Sequence, residues 1–157
     1  MKQERKVIEQ NAIVVFDGDV NASKLNLLLE EFQGVVIING KLFLDESLNL
    51  TCDLHVAESI DSQYNKNIHI EGNLYCEGLI DCYDIFVSES LFCGEINSTD
   101  ITVGEDFLCT DDIMAYGNVI TVAGDLECSN IETGNIYVLG RLTVENAMSA
   151  ETVKIGY

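Results

Sequence analysis

The stretch that decides the fold is Ile85-Phe86-Val87-Ser88-Glu89-Ser90-Leu91-Phe92-Cys93, which returns as Ile101-Thr102-Val103-Gly104-Glu105-Asp106-Phe107-Leu108-Cys109. Related copies begin at Val14, Val36, Leu54, Ile68, Ile120 and Ile136, and a shorter one begins at Val153. Most of the copies follow one another at intervals of sixteen to nineteen residues. A repeat of this length is typical of a solenoid, in which each repeat forms one coil and packs against its neighbours.

Each repeat contains three short stretches in which apolar and polar residues alternate. Because successive side chains of a strand point to opposite sides, the apolar residues are expected inside and the residues between them outside. Face A is assigned residues 14–16, 36–38, 54–56 and 68–70 and the corresponding residues of later coils. Face B is assigned residues 20–22, 42–44, 60–62 and 74–76 and the corresponding residues of later coils. Face C is assigned residues 48–50 and 80–82 and the corresponding residues of later coils. Three short faces per coil predict an all-β fold, a single-stranded, parallel, triangular β-helix of right-handed twist.

The sequence predicts one domain over residues 1–157, with an N-terminal coil and helical cap in 1–34 and repeat coils in 35–157. One short helix is expected over residues 23–33, with Ser23 as N-cap and Gly34 as its stop. Its apolar side consists of Leu25, Leu28, Leu29 and Phe32. We expect this helix to pack near the N-terminal end of the solenoid, and residues 1–12 to complete the cap.

The chain carries 27 acidic and 8 basic residues, a net charge of −19. Nucleic acid and anionic membranes are therefore excluded as partners. The acidity has two interpretations of similar weight: it keeps stacked strands soluble and unpaired, or it matches a basic protein partner. There is no apolar run of membrane-spanning length and no signal-peptide pattern, so a cytoplasmic protein is expected.

Four of the six cysteines, Cys76, Cys93, Cys109 and Cys128, occupy the same position of successive repeats. A free cysteine packs well as a small apolar residue, so we expect reduced, buried thiols. The sequence contains no Cys-x-x-Cys pair, which argues against a zinc site.

No constellation of residues suggests catalysis, and we expect neither enzyme activity nor a cofactor. His55 and His69 are placed at the outward position of face A on adjacent coils, where they either bind a metal weakly or are simply exposed. Residues 104–106 and 110–112 are acidic but do not repeat like a calcium-binding β-roll, so no metal site is expected. Several corners carry Asp or Asn, which tolerate tight turns and bond backbone groups, and we interpret these as structural.

The outward residues of face B are expected to form the contact surface. Tyr75, Phe92 and Leu108 fall on consecutive coils and form what we call the apolar strip, with Phe43, Asp61 and Glu127 in the same row. Acidic residues at the corner leading into face B, Glu58, Glu89, Glu105 and Asp106, are expected to run beside the strip. An apolar patch with a charged rim is typical of a protein-binding site, although the strip could also be covered by the chain itself.

The coil length and the corners Gly72-Asn73-Leu74 and Gly124-Asp125-Leu126 resemble those of the bactofilins, over roughly residues 35–157. Bactofilins are bacterial cytoskeletal proteins built as right-handed triangular β-helices. The resemblance implies end-to-end polymerisation without nucleotide, through exposed end coils.

Two functions from different classes are therefore expected. The first is an acidic, non-catalytic protein that neutralises a basic protein, such as an immunity protein against a bacterial nuclease toxin of the contact-dependent growth-inhibition type, or a mimic of DNA. The second is a bactofilin-like structural protein that self-associates, as a homodimer or end to end, through the C-terminal coil.

Overall fold

The structure is a computed structural model that describes residues 12–63, 65–116 and 118–157. This part of the chain winds into a β-solenoid of about seven turns, built from short parallel strands and one helix. The predicted all-β solenoid with a short N-terminal helix is thus confirmed. Residues 1–11, which the sequence assigns to the cap, lie outside the described residues.

Three parallel ladders form the walls of the coil. Ladder 1 consists of β1 (Ala12–Phe16), β3 (Gly34–Ile38), β6 (Asp53–Val56), β13 (Phe107–Cys109) and the first parts of β9 (Leu74–Asp81), β11 (Leu91–Ser98), β16 (Leu126–Glu132) and β18 (Leu142–Ser149). Ladder 2 consists of β2 (Val20–Asn21), β4 (Leu42–Leu44), β7 (Ile60–Ser62), β14 (Asp112–Ala115) and the second parts of the same four long strands. Ladder 3 consists of β5 (Leu48–Leu50), β8 (Ile68–Ile70), β10 (Asp84–Val87), β12 (Asp100–Val103), β15 (Val119–Val122), β17 (Asn135–Val138) and β19 (Thr152–Ile155).

The core lies inside the three ladders and is filled by stacked apolar side chains. In ladder 3, for example, Ile68, Ile85, Ile101 and Ile120 occupy one register position and are all buried. All six cysteines are buried and free, which confirms the inward position predicted for the four repeat cysteines. The inside-outside alternation read from the sequence is therefore correct.

The early coils were assigned to the wrong faces, because each of their stretches lies one ladder away from its expected place. Leu54 pairs with Leu74 rather than stacking on Ile68, so residues 14–16, 36–38 and 54–56 belong to ladder 1. By the same shift, 42–44 and 60–62 belong to ladder 2, and 48–50 to ladder 3. The five residues 63–67 between β7 and β8 make an unusually long corner. The fourteen-residue interval from Leu54 to Ile68 therefore crosses two walls and does not complete a coil.

The helix α1 covers Ala22–Leu28 and is shorter than the predicted 23–33. Its N-cap is Asn21, not Ser23, whose backbone N–H donates to the Asp45 carboxylate over 2.9 Å. The Leu29 backbone N–H still donates to the Leu25 carbonyl oxygen over 2.9 Å, but the chain then leaves the helix, and Glu31 has a positive φ of 62° that a right-handed helix cannot contain.

The helix occupies the place that ladder 3 would have in the first coil. Leu25 and Leu29 are buried against the solenoid, but Leu28 is 57 % exposed, contrary to its predicted place on the packed side. The Asn26 side chain accepts the Asn49 backbone N–H of β5 over 2.9 Å and donates to the Ser47 carbonyl oxygen over 2.8 Å. The helix therefore supplies hydrogen bonds to the first strand of ladder 3, as a further strand would.

The corners are held by side-chain oxygens that bond the next coil. Asp53 Oδ1 accepts the Asn73 backbone N–H over 2.8 Å, and Asn73 Oδ1 in turn accepts the Ser90 N–H over 3.0 Å. Another series at the corner between ladders 2 and 3 runs from Asn67 to Asp84 and from Asp84 to Asp100. The structural interpretation of the corner Asx residues is confirmed, although they bond the neighbouring coil rather than their own turn.

Candidate partner-binding surface

The apolar strip predicted from the sequence is present on the outer side of ladder 1. The rings of Tyr75 and Phe92 are stacked with centroids 4.6 Å apart and planes inclined by 6°. Leu108 follows Phe92 in register and is 38 % exposed. Because the two rings cover each other's faces, the strip presents mainly ring edges and aliphatic carbon outward.

The row extends further toward the N-terminus than the sequence indicated. His55 pairs with Tyr75, and their ring centroids lie 5.5 Å apart. Ile37 and Val15 occupy the same outward position on the two preceding coils, and Val15 is 52 % exposed. These three residues were missed because the early coils were assigned to the wrong wall. The short interval between Leu54 and Ile68 was the signal that could have revealed the error.

Two residues predicted in this row lie elsewhere. Phe43 and Asp61 pair with each other on ladder 2, and the next residue in register there is Asp81. They are therefore separated from Tyr75 by the corner between ladders 1 and 2. Glu127, by contrast, directly follows Leu108 in the row and closes it with a negative charge, as predicted.

One edge of the strip is the corner that leads from ladder 3 into ladder 1. It carries Glu89, Glu105 and Asp106, all exposed. The Asn73 amide nitrogen donates to Glu89 Oε2 over 2.6 Å, and Asp106 Oδ1 accepts the Asp125 backbone N–H over 2.8 Å. Hydrogen bonds to neighbouring coils thus hold these carboxylates in place beside the rings.

The other edge of the strip is also acidic. Glu58 lies at the corner between ladders 1 and 2, not at the corner assigned to it, and so it borders the strip from the opposite side. Glu77 and Glu95 follow in β9 and β11 at the bend of the same corner. The strip therefore runs between two rows of carboxylates.

Few of these carboxylates are neutralised within the protein. Among the described residues, the only ion pair that involves an arginine or lysine joins Arg141 and Asp125, with nitrogen and oxygen 3.1 Å apart. The backbone N–H and guanidinium of Arg141 hold the pKa of the Asp125 carboxyl below its usual range. Neighbouring carboxylates at a coil spacing of about 4.8 Å repel one another by somewhat less than about 1 kcal/mol per pair in water.

The two histidines do not meet. His55 lies on ladder 1, whereas His69 lies on ladder 3, where its ring stacks on Phe86 with centroids 4.7 Å apart. The prediction that they occupy one face on adjacent coils is therefore wrong. Within the ranges that the structure describes, no cluster of three or more His, Cys, Asp or Glu side chains is arranged to hold a metal ion.

Comparison of the chain with protein-family models, with curated proteins and with solved structures gave no match. None of the helices in the described residues is long and apolar enough to cross a membrane.

Proposed function

We propose that this chain is a non-catalytic binding protein that neutralises a basic protein partner. The observation that carries the proposal is the stacked Tyr75–Phe92 pair, continued by Leu108 and bordered by carboxylates at both corners. Aromatic side chains anchor protein interfaces, and fixed negative charges around them attract and orient a cationic surface.

The partner class that fits best is a bacterial nuclease toxin, with this chain as its immunity protein. Nucleases are basic where they hold nucleic acid, and a net charge of −19 complements such a surface. Glu89 and Glu105 would then take the place of phosphates, which is the sense in which the surface mimics a nucleic acid.

The first step of the test is to use the affinity-tagged chain to isolate a basic protein that binds it from the source cells. Binding is then measured between the two purified proteins. Phe92→Ala should weaken binding by about 2 kcal/mol or more, roughly thirtyfold, because it removes a central aromatic anchor. Phe86→Ala is the matched control, since Phe86 is an outward aromatic residue on ladder 3 and is 37 % exposed. The purified chain should also inhibit nucleic-acid cleavage by the partner.

The acidic edge should act on the rate of association. Glu105→Gln should slow association and flatten its salt dependence, with little change in dissociation. Glu151→Gln, at an exposed corner between ladders 2 and 3, should leave both unchanged. Equal effects of Phe92→Ala and Phe86→Ala, or a partner that binds without salt dependence, would contradict the proposal.

A second candidate function is end-to-end or dimeric self-association as a structural protein. It is favoured by the last described coil, where the apolar side chains of Met148, Val153 and Ile155 are 50 %, 38 % and 55 % exposed. Their counterparts one coil earlier, Ile131 and Ile136 among them, are buried. In sedimentation experiments, this function predicts concentration-dependent assemblies that Ile155→Asp abolishes and that Leu139→Asp, at an exposed corner, preserves.

A further inference from the structure

Three consecutive coils each carry a carboxylate at both ends of their ladder 1 segment. The two carboxylates of a coil are six residues apart in every case, in the pairs Glu71 and Glu77, Glu89 and Glu95, and Glu105 and Asp111. Glu95 is half-buried and the others are exposed. Tyr75, Phe92 and Leu108 lie between the members of their own pair and are in register with one another. The strip is therefore bordered by negative charge on both sides at every coil.

The outer side of ladder 1 has the dimensions of one α-helix. Its segment in a coil spans three residues, such as Phe107–Cys109, or about 10 Å, and a helix with its side chains is about 10–12 Å across. The row of outward positions from Val15 to Leu108 covers six coils, or five steps of about 4.8 Å, a length of about 24 Å. A helix of about sixteen residues has the same length.

The spacing of the strip matches a helix better than an extended chain. A helix returns the same side to the strip about every 5.4 Å, which differs from the coil spacing by about 0.6 Å. An extended segment presents same-side residues about every 6.6 Å, so it loses register by nearly 2 Å at each coil. The strip also presents side chains and not the backbone edge of a sheet, so an extended segment cannot be added there as a further strand.

Charge complementarity determines the chemistry of the helix. An apolar stripe with lysine or arginine on both sides would cover Tyr75 and Phe92 and place cations against both rows of carboxylates. The long stems of lysine and arginine can pack on apolar surface while the charged ends reach outward. A second copy of this chain does not fit, because its own strip would bring two more rows of carboxylates against the first two.

We propose that the strip binds an amphipathic, basic α-helix of the partner, laid along the axis of the solenoid. The apolar stripe of this helix contacts Tyr75, Phe92 and Leu108, and its lysine or arginine residues pair with the carboxylates on both sides. The inference rests on the binding function proposed above and names the element of the partner that the strip contacts.

Three synthetic peptides of about sixteen residues, equal in their leucine, lysine and alanine content, test the proposal on the whole chain. In the first, leucines recur every three or four residues between two flanks of lysine; in the second, apolar residues and lysine alternate; the third is scrambled. The first should bind about tenfold more tightly than the others, because only a helix places leucine and lysine in register together. It should also gain a helical far-UV circular dichroism signal, to which the chain contributes little because α1 covers only Ala22–Leu28.

Variants of the chain locate the bound helix. Phe92→Ala should weaken binding of the first peptide by about tenfold, whereas Phe86→Ala, on ladder 3, should leave it unchanged. Glu77→Gln and Glu105→Gln, on opposite sides of the strip, should each weaken it by roughly twofold, since exposed ion pairs contribute little individually. Glu151→Gln is the control for a carboxylate away from the strip.

Several results would overturn the proposal. They are equal or tighter binding of the alternating or scrambled peptide, an unchanged affinity of Phe92→Ala, and an effect of only one of the two glutamate variants Glu77→Gln and Glu105→Gln. Sedimentation that shows a dimer of the chain, dissociated by Phe92→Ala, would make the strip an interface between copies and overturn it as well. The proposed function would survive these results if a basic protein from the source cells still bound the chain through Phe92. Conversely, the absence of such a protein would contradict the proposed function, while specific binding of the first peptide would still support the helix as the preferred ligand of the strip.

Discussion

The inward and outward positions of ladder 1 can be tested at two adjacent residues, Phe107 and Leu108. Phe107 is 1 % exposed and stacks in register between Leu91 and Leu126 of the neighbouring coils. Phe107→Ala should lower the free energy of unfolding by about 4 kcal/mol, because it removes a buried ring and leaves a cavity that the hydrogen-bonded strands around it cannot close.

Leu108→Ala is the control within the same strand. Leu108 points outward and is 38 % exposed, so its truncation should cost about 1 kcal/mol. The difference of about 3 kcal/mol corresponds to more than a hundredfold in the unfolding equilibrium. Phe107→Leu, which keeps most of the volume, should fall between the two.

Urea denaturation followed by far-UV circular dichroism and by tyrosine fluorescence measures these differences, since the chain contains no tryptophan. An equal or larger cost for Leu108→Ala would refute the assignment. A slip of one residue turns every side chain of a strand to the other face, and this strand would then present Phe107 outward.

Three further outcomes are expected. Burial raises the pKa of the Cys128 thiol to about 12, and a hydrogen bond with Cys109 together with burial raises the pKa of Cys93 well above its ordinary value. Both thiols should therefore resist thiol reagents at neutral pH in the native chain and react once it is unfolded in urea. The hydrogen bonds from Ser23 lower the pKa of Asp45 below 3.8, so this carboxylate stabilises the fold above that pH and the contribution is lost as the pH falls through the folded value. Asp45→Asn should therefore reduce stability at neutral pH, and its difference from the wild type in pH-dependent denaturation should vanish in acid. Asn26→Ala should lower the melting temperature, because about 1 kcal/mol is lost with each of the hydrogen bonds that its amide makes to Ser47 and Asn49 of the next coil.

The sequence was sufficient to predict the solenoid and the direction of its side chains because both are local. Alternation within a strand requires only neighbouring residues, and it holds from Ile68 to Val138, where the inward positions are buried. The Tyr75–Phe92–Leu108 contact followed from the same pattern, since those coils are of nearly equal length.

Which ladder a strand joins depends on the lengths of all the corners before it, not on neighbouring residues alone. The prediction therefore failed where the corner length changed. The long corner 63–67 shifted every earlier coil by one wall, which placed Phe43 in the strip and kept His55 out of it. The helix was predicted too long because its apolar spacing continues to Phe32. Its N-cap was predicted wrongly because Ser23 bonds Asp45, a residue twenty-two positions away on the next coil, which the local sequence does not reveal.

Because each coil bonds only to the coils beside it, the molecule is divisible in units of one coil. Removal of residues 91–106 would join Ser90 to Phe107, two positions that precede and begin equivalent strands of ladder 1. The corner oxygens of the remaining coils would meet backbone groups of the same kind, and the strip would shorten by one rung of about 4.8 Å. The length of the strip is thus set by the number of coils, and duplication or deletion of a coil would lengthen or shorten the proposed interface by one such step without redesign of the core.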